Sequence, residues 1–167
     1  MAYKLLFNRY KPMLKRLKDY LDLNKIKYIE IRHSPAYTAQ EIASSIHHTG
    51  KEIAKSVIVK IDDGFVMAVL AASHIINENL LKIAIRTGIM ELATEDDIEE
   101  LFPDCPVGAI PPFGNLYNLD VYVSRHLSRK KEIIFNAGSR TDVIKMKFMD
   151  YKKLVNPVID IFSEPAN

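Results

Sequence analysis

The stretch "AKSVIVKIDDGFVMAVLAA", residues 54–72, limits the fold more than any other part of the chain. Two apolar runs rich in β-branched residues flank Asp62, Asp63 and Gly64. That pattern predicts two antiparallel strands joined by a tight hairpin. A hairpin at this position favours a mixed sheet over a purely parallel one.

The rest of the chain alternates between strand and helix signals. Behind Pro12, the residues Met13, Leu14, Leu17, Tyr20 and Leu21 fall at helical spacing. "KYIEIRH" (27–33) alternates as a strand does. Thr38 and Glu41 have capping-box spacing, so a helix is expected to start at Thr38. "NENLLKIAIRTG" predicts a helix closing at Gly88, and "TEDDIEELF" one capped by Thr94 and stopped by Pro103. "DVYVS", "EIIFNAG" and "VIKMKF" read as strands, and "MDYKKLV" as a last short helix. The expectation is one α+β domain: a mixed, mostly antiparallel curved sheet flanked by helices. Residues 1–24 are set apart as a basic helical extension of a 25–167 domain.

Composition narrows the function classes. With 48% hydrophobic and 26% charged residues, the chain has ordinary globular usage and no run fit to span a bilayer. A lone cysteine, Cys105, excludes an internal disulfide and fits a reducing cytoplasm. The net charge of +2 is too small to imply nucleic acid by itself. Its distribution is more telling. Arg125, Arg129, Lys130, Lys131, Arg140, Lys145, Lys147, Lys152 and Lys153 crowd one segment, and Arg9, Lys11, Lys15, Arg16 and Lys18 another. Either a phosphate-following face or a solvated lysine-rich surface accounts for them.

Familiar catalytic motifs are absent, and the five histidines form no set with metal-ligand spacing. No cofactor is expected. Lys55 sits where the first hairpin strand begins, with Ala54, Val57 and Val59 expected on the opposite face. It is either the anchor of a pocket or an edge lysine whose stem covers apolar surface. "FNAGSR" (135–140) ends a strand in small residues and exposes backbone donors, or is a plain turn. "GAIPPFG" (108–114) combines stiff prolines with glycine at both ends, and is expected to form a rigid apolar turn.

The ordered set "AYTAQEIA", "GKEIAKSVIVK", "GAIPPFG" and "FNAGSR" resembles the YbaK/prolyl-tRNA-synthetase-associated domain family, over roughly residues 26–158. These domains hydrolyse wrongly charged aminoacyl-tRNA. The resemblance implies a free-standing deacylase of the cytoplasm that acts on the acceptor end of tRNA, without metal or cofactor and without a membrane. An aminoacyl-tRNA synthetase is the second partner it implies. The family's required lysine falls on Lys55. Substrate contacts fall on His33, Thr38, Gly108, Ile110, Pro111, Gly114, Asn136 and Gly138. "IPPF" is then the wall of a small pocket that sieves by size, placed at the pocket rim. Where many members read Pro-Val-Tyr-Val-Asp, this chain reads "DVYVS", with Asp120 for the proline and Ser124 for the acid. A non-catalytic module that binds a nucleotide or aminoacyl-tRNA is the alternative. A third is a partner-binding protein using the basic N-terminal helix.

Overall fold

The structure, a computed structural model, describes residues 13–33 and 53–167. The expected hairpin is there: β2 (Ala54–Ile61) and β3 (Gly64–Ala71) pair antiparallel, with Ile61 opposite Gly64. Gly64 closes the turn at φ +131°, a conformation that L side chains rarely adopt. β3 is buried along most of its length, which explains why its sequence does not alternate.

Among the described residues the chain builds three sheets, the hairpin included. β1 (Tyr28–Arg32), β7 (Glu132–Asn136) and β8 (Asp142–Lys147) form an antiparallel sheet in the order β1-β8-β7. β5 (Glu91–Leu92), β6 (Asp120–Ser124) and β9 (Val158–Asp160) join the hairpin in a five-stranded sheet, β5-β2-β3-β6-β9. That sheet is antiparallel on the β5–β2–β3 side and parallel across β3–β6–β9. β4 (His74–Ile76) pairs with β10 (Ser163–Pro165). A parallel bridge between Ile53 and Ile134 links the first two sheets. The architecture is the expected single α+β fold with a mixed sheet.

The main core lies between the two larger sheets and the helices α1 (Lys15–Leu23) and α5 (Phe148–Val155). Leu17 and Leu21, one turn apart on α1, are fully buried in it. Together they contribute about 3–6 kcal/mol of apolar burial. Residues 13–24 therefore share the core of the rest of the chain. A second cluster fills the opposite face of the hairpin, where Val59, Val66, Ala68 and Leu70 meet Leu81 and Phe162.

The helix α2 (Glu78–Ile85) ends earlier than Gly88 suggests, because Arg86 takes the left-handed capping conformation at φ +63°. Helix α3 (Glu95–Leu101) is capped by Thr94 as expected, and the cap is a full capping box: Asp97 N–H donates to Thr94 Oγ1 at 3.1 Å, and Thr94 N–H to Asp97 Oδ2 at 2.9 Å. A short helix α4 (Arg125–Ser128) follows β6 directly. The helix expected from Thr38, and Thr38 itself, lie outside the described residues.

Candidate functional site

Lys55 is half-buried on β2, opposite Leu70 of β3. The strand's two-residue period puts Val57 and Val59 on the same face as Lys55, not across from it as expected. Of the residues expected across from Lys55 only Ala54 points the other way, and with Ile58 it joins the main core. Lys55, Val57, Val59, Leu70, Met90 and Leu92 line a cavity of about 310 Å³ together with Glu78 and Glu91. Burial pushes the Lys55 ammonium below its usual pKa. Among the described residues it has no hydrogen-bond or ion-pair partner. A desolvated ammonium at the edge of an apolar pocket is a ready acceptor for an anionic group.

A second group assembles around the turn between β7 and β8. Asn136 Nδ2 donates to Gly108 O at 3.2 Å, and an Arg140 Nη donates to Val107 O at 3.2 Å. His33 N–H donates to Thr141 O at 2.8 Å. The turn itself is built on Asp142, almost fully buried, whose Oδ2 accepts from Ser139 Oγ at 2.8 Å and Thr141 Oγ1 at 2.9 Å. Sequence reasoning gave no role to Asp142 or to the Ser139 hydroxyl, and counted Arg140 only among the basic residues. The signal was there in "SRTD", since serine and aspartate three apart commonly bond across a turn. Gly108 is exposed at φ +86° and borders a cleft of about 520 Å³ shared with Glu95, Glu99, Cys105, Val107 and Arg140.

The structure thus brings His33, Gly108, Asn136 and Gly138 to one end of the three-stranded sheet. Lys55 opens on a separate cavity. The two regions are linked by the Ile53–Ile134 bridge: β2 and β7 leave it in the same direction, so Lys55 and Asn136 both lie two residues beyond it.

Of the turn "GAIPPFG" only Gly108 borders a cleft; the "IPPF" segment expected at a pocket rim is buried. Only Gly108 is exposed, and residues 109–114 are buried. Ile110 and Phe113 belong to the main core, where the Phe113 ring packs edge-on to Tyr151 at 5.3 Å and tilted against Phe135 at 5.5 Å. Tyr151 Oη donates to Pro112 O at 2.7 Å, and its burial pushes the phenol well above its usual pKa. An apolar turn carrying a phenylalanine gains more from burying that ring than from facing a wet pocket. Pro111 is carried inward with it. Gly114 is required by packing: a methyl group there would sit 2.8 Å from Val121 Cγ2.

Cys105 is half-way between turn and core, with its Sγ 3.3 Å from Tyr117 Oη. Burial is the main cause that pushes its thiol up to about 11. At pH 8 only about a thousandth of it is thiolate. A thiol-specific disulfide reagent is therefore expected to label native protein far more slowly than unfolded protein. Equal rates would show that the thiol is accessible and ionised.

The described basic residues of α1 are already engaged. Lys15 pairs with Asp19, and Lys18 pairs with Asp22 at 2.9 Å. Arg16 Nε lies 3.1 Å from Asp104 Oδ2 while its guanidinium covers the Tyr117 ring at 4.5 Å. They pin the helix rather than offer a free cationic face. Lys130, Lys131 and Lys145 instead border a shallow cleft with Glu132 and Ile134. Among the described residues no three histidines, cysteines or carboxylates are placed to hold a metal ion. Nor is any described helix long and apolar enough to cross a membrane.

Comparison with known proteins bears on this arrangement. A family model described as an aminoacyl-tRNA editing domain matches residues 33–154. The proline–tRNA ligase of Macrococcus caseolyticus is 37% identical over 111 residues, 66% of this chain and 19% of the ligase. The ligase of Kosmotoga olearia is 32% identical over 94 residues, 56% of this chain and 16% of that one. The chain thus spans about a fifth of the length of these curated relatives. A crystal structure of a candidate trans-editing enzyme for prolyl-tRNA synthetase superposes with a TM-score of 0.78 at 19% identity, covering 93% of this chain and 99% of that one. Another solved structure, of a hypothetical protein, reaches 0.82 at 21% identity, covering 90% and 100%. At such identities the two structures establish the fold.

Proposed function

Since the chain belongs to the aminoacyl-tRNA editing domain family, we propose that it is a free-standing deacylase that hydrolyses the ester of a misacylated tRNA in the cytoplasm. The observation that carries this reading is Lys55. Its partly desolvated ammonium, without a partner among the described residues, lies on a small, largely apolar cavity. The terminal phosphate or ribose of the acceptor end supplies the anionic or polar group that such an ammonium lacks. The aminoacyl side chain enters the space bounded by Val57, Val59, Leu70 and Met90. A cavity of about 310 Å³ admits small side chains more readily than large ones.

The chemistry needs an activated water and stabilisation of the charge that develops on the ester oxygen. Glu78 and Glu91 line the same cavity, but neither is assigned as the general base in this reading. The ribose hydroxyl of the substrate serves that role in this reading. Gly108, exposed and held by Asn136, presents backbone to a bound acceptor end, with His33, Asn136 and Gly138 setting its position. A synthetase that supplies the misacylated tRNA is the second partner proposed.

The test is a panel of mischarged tRNAs, with release of free amino acid measured without any synthetase and in excess chelator. Release of a small amino acid, unchanged by chelator, is the expected result. No release from any member, with intact tRNA still bound, favours the non-catalytic module. Activity abolished by chelator and restored by zinc overturns the metal-free mechanism.

A further inference from the structure

We propose that the cleft at the carboxyl ends of β6 and β9 is a phosphate site that holds a backbone phosphate of the RNA, apart from the Lys55 cavity. The identity of the RNA rests on the function proposed above. The site itself rests on five side chains. Ser124, Arg125, His126, Arg129 and Ser163 line a cleft of about 190 Å³, closed on one side by Ile161.

Parallel strands concentrate their following loops at one edge, and here β6 and β9 run parallel with Ser124 opposite Asp160. Arg125 and Arg129, one turn apart on and just past α4, are both exposed. Among the described residues no carboxylate lies within 4.0 Å of either guanidinium. Asp160 and Glu164 each adjoin a residue of the cleft wall; Asp160 Oδ1 accepts from the Ile161 N–H at 2.8 Å, and Glu164 Oε2 accepts from Asn77 Nδ2 at 3.4 Å. Two guanidiniums with no carboxylate partner among the described residues attract an oxyanion with several acceptor oxygens.

The floor of the cleft is polar and almost closed to solvent. Ser124 is 1% exposed, and its Oγ lies 2.5 Å from Ser163 Oγ, which lies 2.9 Å from His74 Nδ1. A hydroxyl carries one proton, so this chain runs in one of two directions. With Nδ1 protonated, His74 donates to Ser163, Ser163 donates to Ser124, and the Ser124 proton is left for a ligand. An anion in the cleft selects that direction. The His126 ring stacks on His74 at 4.1 Å, 25° from parallel, and so stiffens the same wall. Arginines above and a directed hydroxyl below make a complete oxyanion cradle. A solvated surface needs no such buried relay.

The experiment compares wild type with Arg125→Ala/Arg129→Ala and with Ser163→Ala, all checked for an unchanged thermal midpoint. The ligands are an uncharged acceptor-stem hairpin and inorganic phosphate, and hydrolysis of a minimal aminoacyl-adenosine is followed in parallel. The double variant is expected to bind the hairpin at least tenfold more weakly. Its dependence of log affinity on log salt is expected to be shallower by roughly one to two. Ser163→Ala is expected to weaken binding with the slope unchanged, since it removes no charge. Hydrolysis of the minimal ester is expected to be unaffected in both. Unchanged hairpin affinity and slope in the double variant overturn the site. Protection of wild type by inorganic phosphate, lost in the double variant while hairpin binding stays unchanged, would mean a free-phosphate site and overturn the RNA assignment. If wild type hydrolyses no ester yet the double variant still loses hairpin binding, the deacylase reading fails and the phosphate site stands.

Discussion

Lys55→Ala is expected to cut ester hydrolysis by roughly tenfold to a hundredfold while the protein stays folded. One charge-assisted hydrogen bond to a bound substrate is worth about 1.5–3 kcal/mol, which corresponds to that range in rate. The fold should survive because nothing else depends on the ammonium: among the described residues it has no partner, and the stem only covers part of the β2–β3 face. Linkage points the same way. Burial holds the folded-state pKa below its ordinary value of 10.5, so keeping the group charged at neutral pH opposes folding. That cost is relieved as the pH rises from the folded pKa toward the unfolded one. Removing the amine should therefore leave the thermal midpoint at neutral pH unchanged or slightly raised. Steady-state hydrolysis of a small aminoacyl-adenosine, alongside a thermal melt, separates the two effects. Near-wild-type turnover in a folded variant would falsify the assignment of Lys55, whatever the rest of the site does.

Lys55 also shows how far the sequence carries and where it stops. Its position at the start of a strand was legible, because two apolar runs around "DDG" leave few alternatives to a hairpin. Its face was misassigned, although a strict period of two places residues 55, 57 and 59 together. Ser56 and the buried flanks blurred the alternation that normally reveals a face. The turn "GAIPPFG" was legible as stiff and apolar, yet a pocket wall and a core plug share that composition. What decides between them is Tyr151, distant in sequence, which brings a hydroxyl to Pro112 O and a ring to Phe113. The short strands β4, β5, β9 and β10 span two or three residues each and leave no period to detect. The phosphate cleft was invisible for the same reason. It needs Ser124, Ser163 and His74, which come together only through a strand pairing of three residues.

Gly138→Ala is expected to be among the most destabilising single-methyl changes in the chain, at about 2–5 kcal/mol. Gly138 ends the β7 segment at φ +84°, where a residue with a Cβ loses roughly 1–2 kcal/mol. Its added methyl would lie 2.5 Å from Leu14 Cβ, with further Leu14 side-chain atoms at 3.3 Å. Leu14 has little room to withdraw, because its backbone N–H donates to Ala137 O at 2.8 Å and the next turn begins α1. Overpacking a fixed contact of this kind costs about another 1–3 kcal/mol. For a domain of this size the sum lowers the thermal midpoint by roughly 10 °C. Gly108→Ala supplies the contrast. It has a similar φ of +86° but is exposed, so only the conformational cost of about 1–2 kcal/mol should appear. A double-mutant cycle with Leu14→Gly, which removes the blocking Cβ, isolates the contact. The cycle should show a coupling of about 1 kcal/mol or more, with Gly138→Ala milder in the Leu14→Gly background. Additive effects would mean that Gly138 is needed for its backbone alone. In that case the small residues at the end of β7 serve a ligand rather than the docking of the N-terminal segment.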